Sequence, residues 1–508
     1  MQSVTPEWKS AMLKTMAPRS IVYISMAFPD NEKNPTYKTP ALGGSVGSEI
    51  NKPRSRIVPQ GIVEQNYTLL RDPSNIGQYS TYFGYKGGEL SDANGDFLQS
   101  TGLNYQYGNV QTAPIKNITI VWSRYNKIQY AKDFTITIKD DNNNVIHTET
   151  VTGNTSYVTV VTFPSVTGYQ RIELRVTKWS LPYNVCVVDL FYLGTVLIYD
   201  ESNIISLKHK GIVDPLNFEL PENSVEFVVD NKDESWNPDN PQGNYALLTK
   251  KCLVNIDYGF NINGSELFIA CGSFYLSGWD TPQNGLTVTF TAQSPIYFMN
   301  ADMTIQAGTY TYKQLIKDAF DHAGVSFSYT NLTNADTVTF SEDVTLRECE
   351  VLQLACNAAC AVIEIRRDGV VEVKDYTWPT LPITSDYTIT QRISFKNAEY
   401  EMQKEAIGVN VNNGLGEYIG STSGEMQTIN NDFIKDATVA NKVAQFIYGI
   451  LINRNILKGE YRADPRMDCM DEIFIENKYA VAAQCVVNEY EYTFKGMVRG
   501  YYKARAIG

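Results

Sequence analysis

Between residues 61 and 198 the sequence reads as strand after strand, and that pattern leaves few folds open to the chain. In DFTITIKD (133–140), Phe134, Ile136 and Ile138 alternate with Thr135, Thr137 and Lys139, the two-residue period of a half-buried strand. Asp141–Asn144 supplies a turn, and NVIHTETV (144–151) reads as the return strand of a hairpin. YVTVVTF (157–163), RIELRVTKW (171–179) and VCVVDLFYLG (185–194) follow, with turn residues about every 10–14 positions. That spacing predicts an antiparallel β-sandwich of the jelly-roll kind. The 33 Tyr and 21 Phe, with many Thr and Val, suit β structure throughout.

The period changes further along. Tyr312–Ala323 places Leu315, Ile316, Ala319, Phe320 and Ala323 on one helical face, with Gly324 as its stop. Thr345–Ala359 predicts a second helix, with Thr345 and Glu348 as a capping box. AVIEIR (361–366) and VVEVKD (370–375) then form a hairpin across Asp368-Gly369. Residues 311–375 are therefore a small α+β unit. A helix after Asn431 carries Phe433, Ala437, Ala440, Ala444, Ile447 and Leu451 at four-three spacing, and strands resume at 472–476, 482–494 and 497–507. At the other end, Pro6–Met16 reads as a short helix and 20–27 as a strand. Residues 29–60, rich in Pro, Gly, Ser and Asn, read as a loop or extended arm, and 376–386 as a linker. A chain of 508 residues exceeds one ordinary core, so three or four domains are expected.

Composition excludes several roles. No stretch approaches the ~20 apolar residues of a membrane helix, and residues 1–20 lack the apolar core of a signal peptide. A net charge of -13 argues against a basic nucleic-acid-binding face. The eight Cys contain no CxxC and only three His exist, a poor supply for metal sites or for Cys/His and Ser/His catalysis. The expectation is free buried thiols, including Cys356 and Cys360 at one helix end. No GxSxG, HExxH or P-loop occurs. Glu234, Glu364, Glu372 and Asp375 form no pair that the sequence selects as a glycosidase couple. Asp92-Ala-Asn94-Gly-Asp96 opens like a calcium loop, but Leu103 stands where the required Glu would be, so a turn is expected. His322 suits a helix end. Tyr79, Tyr82, Tyr85, Trp179 and Tyr183 fall near predicted loops of the sandwich, where aromatic rings either fill a core or stack on sugars. Tyr82, Tyr85, Trp179 and Tyr183 are the candidate glycan-binding residues. No catalytic, cofactor-binding or metal-ligating residues are expected.

Several stretches together resemble the tail-tip and baseplate hub proteins of phages. IVEQNYTLLRDPSN (62–75), GYKGGELSDANGDF (84–97), NITIVWSR, AKDFTITIKDDNNNVI and KWSLPYNVCVVDLFYLG are similar to a galactose-binding, discoidin-type jelly roll at the head of such proteins. SVEFVVDNKDESWNPDNPQGNYALL (224–248), VNIDYGF (254–260) and CGSFYLSGW (271–279) resemble the first hub segment, and this is the most specific signal in the chain. The unit at 311–375 resembles the small hub domain. NDFIKDATVANKVAQFIYG and YRADPRMDCMDEIFIE resemble the closing barrel, although Met470 stands where most of that family has Gly before the Asp.

The resemblance implies a mainly β fold with an α+β unit. Residues 1–28 would give an N-terminal helix and the first strand of a split hub β-barrel, 29–60 an extended arm, and 61–199 an inserted jelly-roll β-sandwich. Residues 200–300 would complete barrel one, 301–385 form the small α+β domain, and 386–508 form a second β-barrel with a helix. It implies no enzyme, and no peptidoglycan-cutting domain after the closing barrel. It implies a structural virion protein at the phage tail tip, made in the host cytoplasm: a homotrimeric hub that joins the tail tube to a spike or fibre and gates DNA passage. Its expected partners are a tail-tube or distal-tail protein, the tape-measure protein and a spike or fibre protein, with a host glycan as a further ligand and no sequence-specific nucleic acid. The alternative reading is a carbohydrate-binding adhesin. The sequence leaves open a contractile or a flexible tail.

Overall fold

Alternation decides where the strands lie. Phe134, Ile136 and Ile138 are buried while Thr135, Thr137 and Lys139 are only partly so. The same in–out rhythm recurs in most strands of a mainly β fold. The computed structural model describes residues 2, 4–14, 18–30, 35–41, 44–46, 84–123, 127–240, 243–262, 265–281, 285–402, 407–412, 414–421, 423–479 and 481–508. The chain divides into two units. One holds Tyr23–Tyr199 and Leu247–Ala270; the other holds Met1–Val22, Asp200–Ala246 and Cys271–Gly508.

The first unit is built from antiparallel sheets. One runs in the order Tyr37–Pro40, Leu103–Gln111, Tyr169–Trp179, Ala131–Lys139, Val145–Val151. In the other, Val158–Val166 pairs with Ile115–Val121, which pairs with Leu190–Tyr199. Leu190–Tyr199 in turn pairs with Arg19–Pro29, in the register Ile24↔Tyr199 to Pro29↔Gly194. Both sheets feed one core, in which Trp122 meets Phe134 at 5.0 Å and Trp179 at 6.0 Å, edge-on. The expected opening strand at 20–27 is the strand Arg19–Pro29, which lies between Leu190–Tyr199 and Leu253–Ile262. Of the arm expected at 29–60, Tyr37–Pro40 is a strand paired with Leu103–Gln111, and Ser45–Val46 pairs with Tyr85–Leu90. The rest of that arm, and the stretch 62–75, lie outside the described residues.

The second unit carries a long antiparallel sheet. Its order is Cys271–Asp280 (the later part of the strand Ser265–Asp280), Thr287–Gln293, Glu222–Asp230, Ile204–Ile212, Ala482–Phe494, Val498–Ala506, Asn455–Arg462, Glu399–Met402. Ile204–Ile212 and Ala482–Phe494 join its two halves through the pairs Leu207↔Phe494 to Ile212↔Glu489. Three cross-strand pairs on its inner face set Tyr against Gly: Gly211 with Tyr490, Gly459 with Tyr502, and Gly500 with Tyr461. A Cβ at Gly500 would fall 2.5 Å from the Tyr461 ring. The missing side chain lets the ring lie on its neighbour's backbone, and all four tyrosines Tyr461, Tyr490, Tyr492 and Tyr502 are buried.

The helices form largely as their periodicity predicts. Tyr312–Ala323 buries Leu315, Ile316, Ala319 and Phe320, is capped by the Thr311 hydroxyl, and ends at Gly324 with φ +66°. The second helix is shorter than expected, Glu348–Ala359. Thr345 belongs instead to the strand Val344–Arg347, opposite Thr304, and Glu350 caps the helix by accepting from the Arg347 amide. Its end is Cys360, at φ +55°. The expected helix 433–452 is Ala437–Leu451, started by Asp436, whose carboxylate accepts from the Thr438 and Val439 amides. The N-terminal helix is Pro6–Met12, not Pro6–Met16. One core takes in residues on both sides of position 385: the Tyr312 hydroxyl donates to the Phe433 carbonyl at 3.0 Å, and Phe340 packs edge-on against Phe433 at 5.3 Å.

The segment after Glu222–Asp230 is a staircase of tight turns. The amides of Glu234, Asn237, Asn240 and Gly243 donate in turn to the carbonyls of Asn231, Glu234, Asn237 and Asn240. The Asn231 side chain accepts from the Trp236 amide at 2.9 Å and seats that indole against Phe290. Asn231, Asn237, Asn240 and Gly243 at three-residue spacing suit such turns, and Glu234, at φ +55°, takes the remaining place.

Gly500→Ala is expected to cost about 1–3 kcal/mol by driving a methyl into Tyr461. Gly449→Ala, at a helical site with nothing within 4 Å, is expected to gain about 0.5–1 kcal/mol. Urea denaturation of the two variants against the parent checks both signs.

Candidate assembly surface and its buried anchor

The sequence-predicted site residues do not converge. Tyr85 and Trp179 are core residues, both fully buried. The Tyr85 hydroxyl meets Thr101 and accepts from the Gly102 amide at 3.0 Å. Neither ring is a platform for a sugar, because the sandwich interior needs large apolar residues and took these. Tyr82 and Tyr79 lie outside the described residues. Of the three that are described, only Tyr183 is exposed, at 57%. Asp92–Asp96 is a turn: the Asp92 Oδ1 accepts from the Asn94 and Asp96 amides, both at 2.8 Å, and these bonds hold its carboxyl below the usual range.

The scattered carboxylates each have their own local partner or turn. Glu364 pairs with Lys374 at 2.7 Å, Glu372 accepts from Thr330, Asp375 from Thr333, and Glu234 sits in the turn staircase. His322, in the last turn of its helix, meets the Glu348 carboxylate. The eight cysteines are free thiols, and burial pushes Cys360 up to about 12. Among the described residues no group of three His, Cys, Asp or Glu is placed to hold a metal ion. No described helix is long and apolar enough to cross a membrane.

The segment 463–471, ADPRMDCMD, which the sequence offers only as part of a family-like motif, is a structural anchor. Two ion pairs form there below the surface. The Arg367 guanidinium, buried, donates from Nε to both Asp468 oxygens at 2.9 and 3.0 Å, from Nη2 to the Pro465 carbonyl at 2.7 Å, and from Nη1 to the Cys271 sulfur at 3.1 Å. Burial alone would lower its pKa, but Asp468 overcomes this and the net direction is up. Arg466 donates to Asp464 at 2.8 Å and lies 5.1 Å from the Tyr387 ring centre, while the Trp8 indole donates to the other Asp464 oxygen at 3.0 Å. Gln2, Tyr492 and Val487 add further bonds. The segment thus ties the N-terminal helix, the hairpin turn at 367–369, the strand at Cys271 and the C-terminal strands together. A crowd of charges in an otherwise apolar stretch is a sequence signal for such an anchor. Its partner Arg367, 101 residues away, leaves none.

The last residue of the anchor, Asp471, and a histidine near it are both shifted from their usual pKa ranges. Burial, then Asp468, raises Asp471 to about 6. His209, buried with Nε2 3.2 Å from both Asn223 Oδ1 and the Tyr490 hydroxyl, is lowered to about 4 by burial and then by Arg367. Met470, next to Asp471 in the chain, has φ +67°, the left-handed region that glycine adopts freely. Met470 fills this position at a backbone cost while packing against Ile383, Val486 and Ile507.

The outer face of the long sheet is a mosaic of both charges. Lys208 pairs with Glu491 at 3.1 Å, Lys210 with Glu222 at 3.7 Å, and Lys458 with Glu401. Such exposed pairs add little stability. The terminal strand Glu399–Met402 differs. It pairs with Asn455–Arg462 on one side only among the described residues. Tyr400 lies opposite buried Leu457 and Met402 opposite Asn455, so both belong to the inner, apolar layer, yet they are 49% and 61% exposed. The core layer runs out past its last strand.

No family model and no curated protein matches the chain. Among solved structures it is similar to the 43 kDa tail protein of prophage MuSo2 from Shewanella oneidensis (TM-score 0.42, 9% identity, 61% of this chain and 95% of that one). It is similar also to the tail protein from Neisseria meningitidis MC58 (TM-score 0.40, 9% identity, 60% and 92%). A third is the E. coli c3393 protein, a component of the type VI secretion system (TM-score 0.38, 10% identity, 60% and 74%).

Met470→Gly is expected to stay within about 1 kcal/mol of the parent, relief of strain offsetting lost packing, whereas Met470→Val is expected to lose more than about 2 kcal/mol because a β-branched residue resists positive φ. Denaturation midpoints check the order. The two titrating groups oppose each other. Asp471 keeps its proton in the fold up to about 6 and loses it near 3.8 when unfolded, so its share of stability falls as pH rises from about 4 to about 6. His209 refuses a proton that the unfolded chain accepts below 6.5, so its share falls as pH drops from there to about 4. Relative to the parent, Asp471→Asn is therefore expected to gain stability between pH 4 and 7, and His209→Gln between pH 7 and 4, each by about 2–3 kcal/mol. Unfolding free energies at pH 4, 5.5 and 7 test both slopes.

Proposed function

We propose that this chain is a structural subunit of a phage-type tail tip: a baseplate hub that assembles as a homotrimer. In this role it joins the tail tube to a spike or fibre and gates the passage of DNA. The reading is structural rather than enzymatic. Its expected neighbours are a tail-tube or distal-tail protein, the tape-measure protein and a spike or fibre, and its place is the virion tail tip. The jelly-roll-like insert at 61–199 and the two hub barrels at 200–300 and 386–508 are part of the same proposal.

The observation that carries it is the unfinished edge Glu399–Met402. An exposed edge presents unpaired backbone groups, and proteins cover, charge or pair such strands. Here the edge carries apolar Tyr400 and Met402 level with the core layer, which favours pairing. Glu399 and Glu401 on the opposite face leave the outer side wet and set a register for the incoming strand. A second copy of the chain satisfies this edge, and repeating the contact head to tail closes a ring. The motifs at 224–279, 431–449 and 461–476 that resemble hub segments support this identity for the ring.

Native mass spectrometry and negative-stain images of the purified chain test the proposal, with a three-fold ring and an axial opening as the expected result. Tyr400→Asp with Met402→Lys is expected to convert trimer to monomer while leaving the melting temperature within a few degrees. A monomeric parent without an opening, alone and in assembled tails, overturns the reading.

A further inference from the structure

Helix Ala437–Leu451, in the second unit, is apolar on two sides. Val439, Val443, Ala444 and Ile447 are buried in the core. Phe446, Gly449 and Ile452 recur at three-residue spacing on another side. That side and the stretch Trp378–Leu381 line an open groove of about 580 Å³, to which Ile450 also contributes. Ile452 and Leu381 are 47% and 51% exposed. Gly449 makes a notch in the groove: a Cβ there would meet no other part of the chain within 4 Å. Gly inside a helix is less stable than Ala, and no neighbour in this chain requires the missing side chain. The space is kept open at a cost to the helix.

The same unit carries a knob. Glu472–Glu476 and Ala482–Phe494 pair as far as Glu476↔Ala482, and the turn between them exposes Tyr479 at 74% and Val481 at 61%. Tyr479 is the most exposed large apolar residue described in that unit. Hydrogen bonds fix the turn. The Asn477 amide donates to the Val481 carbonyl at 2.9 Å, and Asn477 Oδ1 accepts from the Tyr479 and Val481 amides at 2.9 and 3.1 Å. Lys478 Nζ lies 4.9 Å from the centre of the Tyr479 ring. An apolar knob and an apolar groove both left in water are unfavourable, and one contact removes both: the knob of one copy fills the groove of another. Knob and groove are different surfaces, so the contact is head to tail, the kind that closes a ring.

We infer that the hairpin tip carrying Tyr479 and Val481 seats in the groove of a second copy of this chain, with the Tyr479 ring in the notch at Gly449. Tyrosines held in fitted pockets are the anchors of protein interfaces. Two side chains cover only a fraction of the about 800 Å² per partner that a specific interface buries, so the contact adds to the edge Glu399–Met402 and does not replace it. It rests on the ring reading and deepens it by naming two surfaces that meet.

Analytical ultracentrifugation of the full chain tests the contact. Gly449→Leu fills the notch, and Tyr479→Ser with Val481→Ser removes the knob. Both changes fall at open positions, so neither variant is expected to melt more than a few degrees below the parent. Each is expected to raise the dissociation constant of the trimer about tenfold or more, with Gly449→Ala falling between the parent and Gly449→Leu although it stabilises the helix. Mixing is decisive. At a concentration where each variant alone is a monomer, a one-to-one mixture is expected to form dimers, because one intact knob then faces one intact groove while no ring can close. A trimeric parent overturns this contact alone, and leaves the ring reading standing, if either variant assembles as the parent does or if the two monomeric variants fail to pair when mixed. A monomeric parent overturns both.

Discussion

The ladder between Ile204–Ile212 and Ala482–Phe494 is the contact on which the second unit depends. Without it, the strands from 204 to 293 and those from 455 to 506 would be two separate sheets, each with a raw inner edge. Antiparallel pairing supplies the backbone bonds. Side chains make it specific. His209 lies edge-on to Tyr490 at 5.3 Å and to Tyr492 at 5.9 Å, and Gly211 leaves room for the Tyr490 ring. A one-residue slip would set Lys208 and Lys210 into that aromatic layer, so the register has no near competitor.

The anchor at 463–471 holds the same region from the other side. An arginine suits the centre of it better than a lysine. Its planar fork reaches a carboxylate, a carbonyl and a sulfur at once, and it stays charged when buried. A buried ion pair is weak evidence for stability in general, since desolvation consumes most of the attraction. Here its value lies in position: several separate parts of the unit meet in one hydrogen-bonded knot, and each has a single arrangement that satisfies it.

Much of this was legible in the residues. Alternation at 133–140 and the four-three face at 312–323 correspond to the observed burial residue by residue, because local periodicity and burial express one pattern. The start of the helix near 345 was misread, since a Thr three residues ahead of a Glu also fits a strand, and pairing with Asp302–Ile305 decided the matter. Trp179 and Tyr85 could not be told from surface aromatics, because core and platform call for the same side chains. The edge at 399–402 was illegible for a plainer reason: exposure of Tyr400 and Met402 depends on which strand comes last, and order in a sheet is set by contacts far apart in sequence.

The ladder that closes the sheet joins strands 270 residues apart, counted from Ile212 to Ala482. During synthesis at ~5–20 residues per second, the earlier strand waits tens of seconds for its mate. The edge at 399–402 waits as well, because its only described neighbour is Asn455–Arg462, which in turn leans on Val498–Ala506. In a half-made chain the strand at 399–402 therefore has none of its described partners, and that end of the sheet forms only after the last strand has been made.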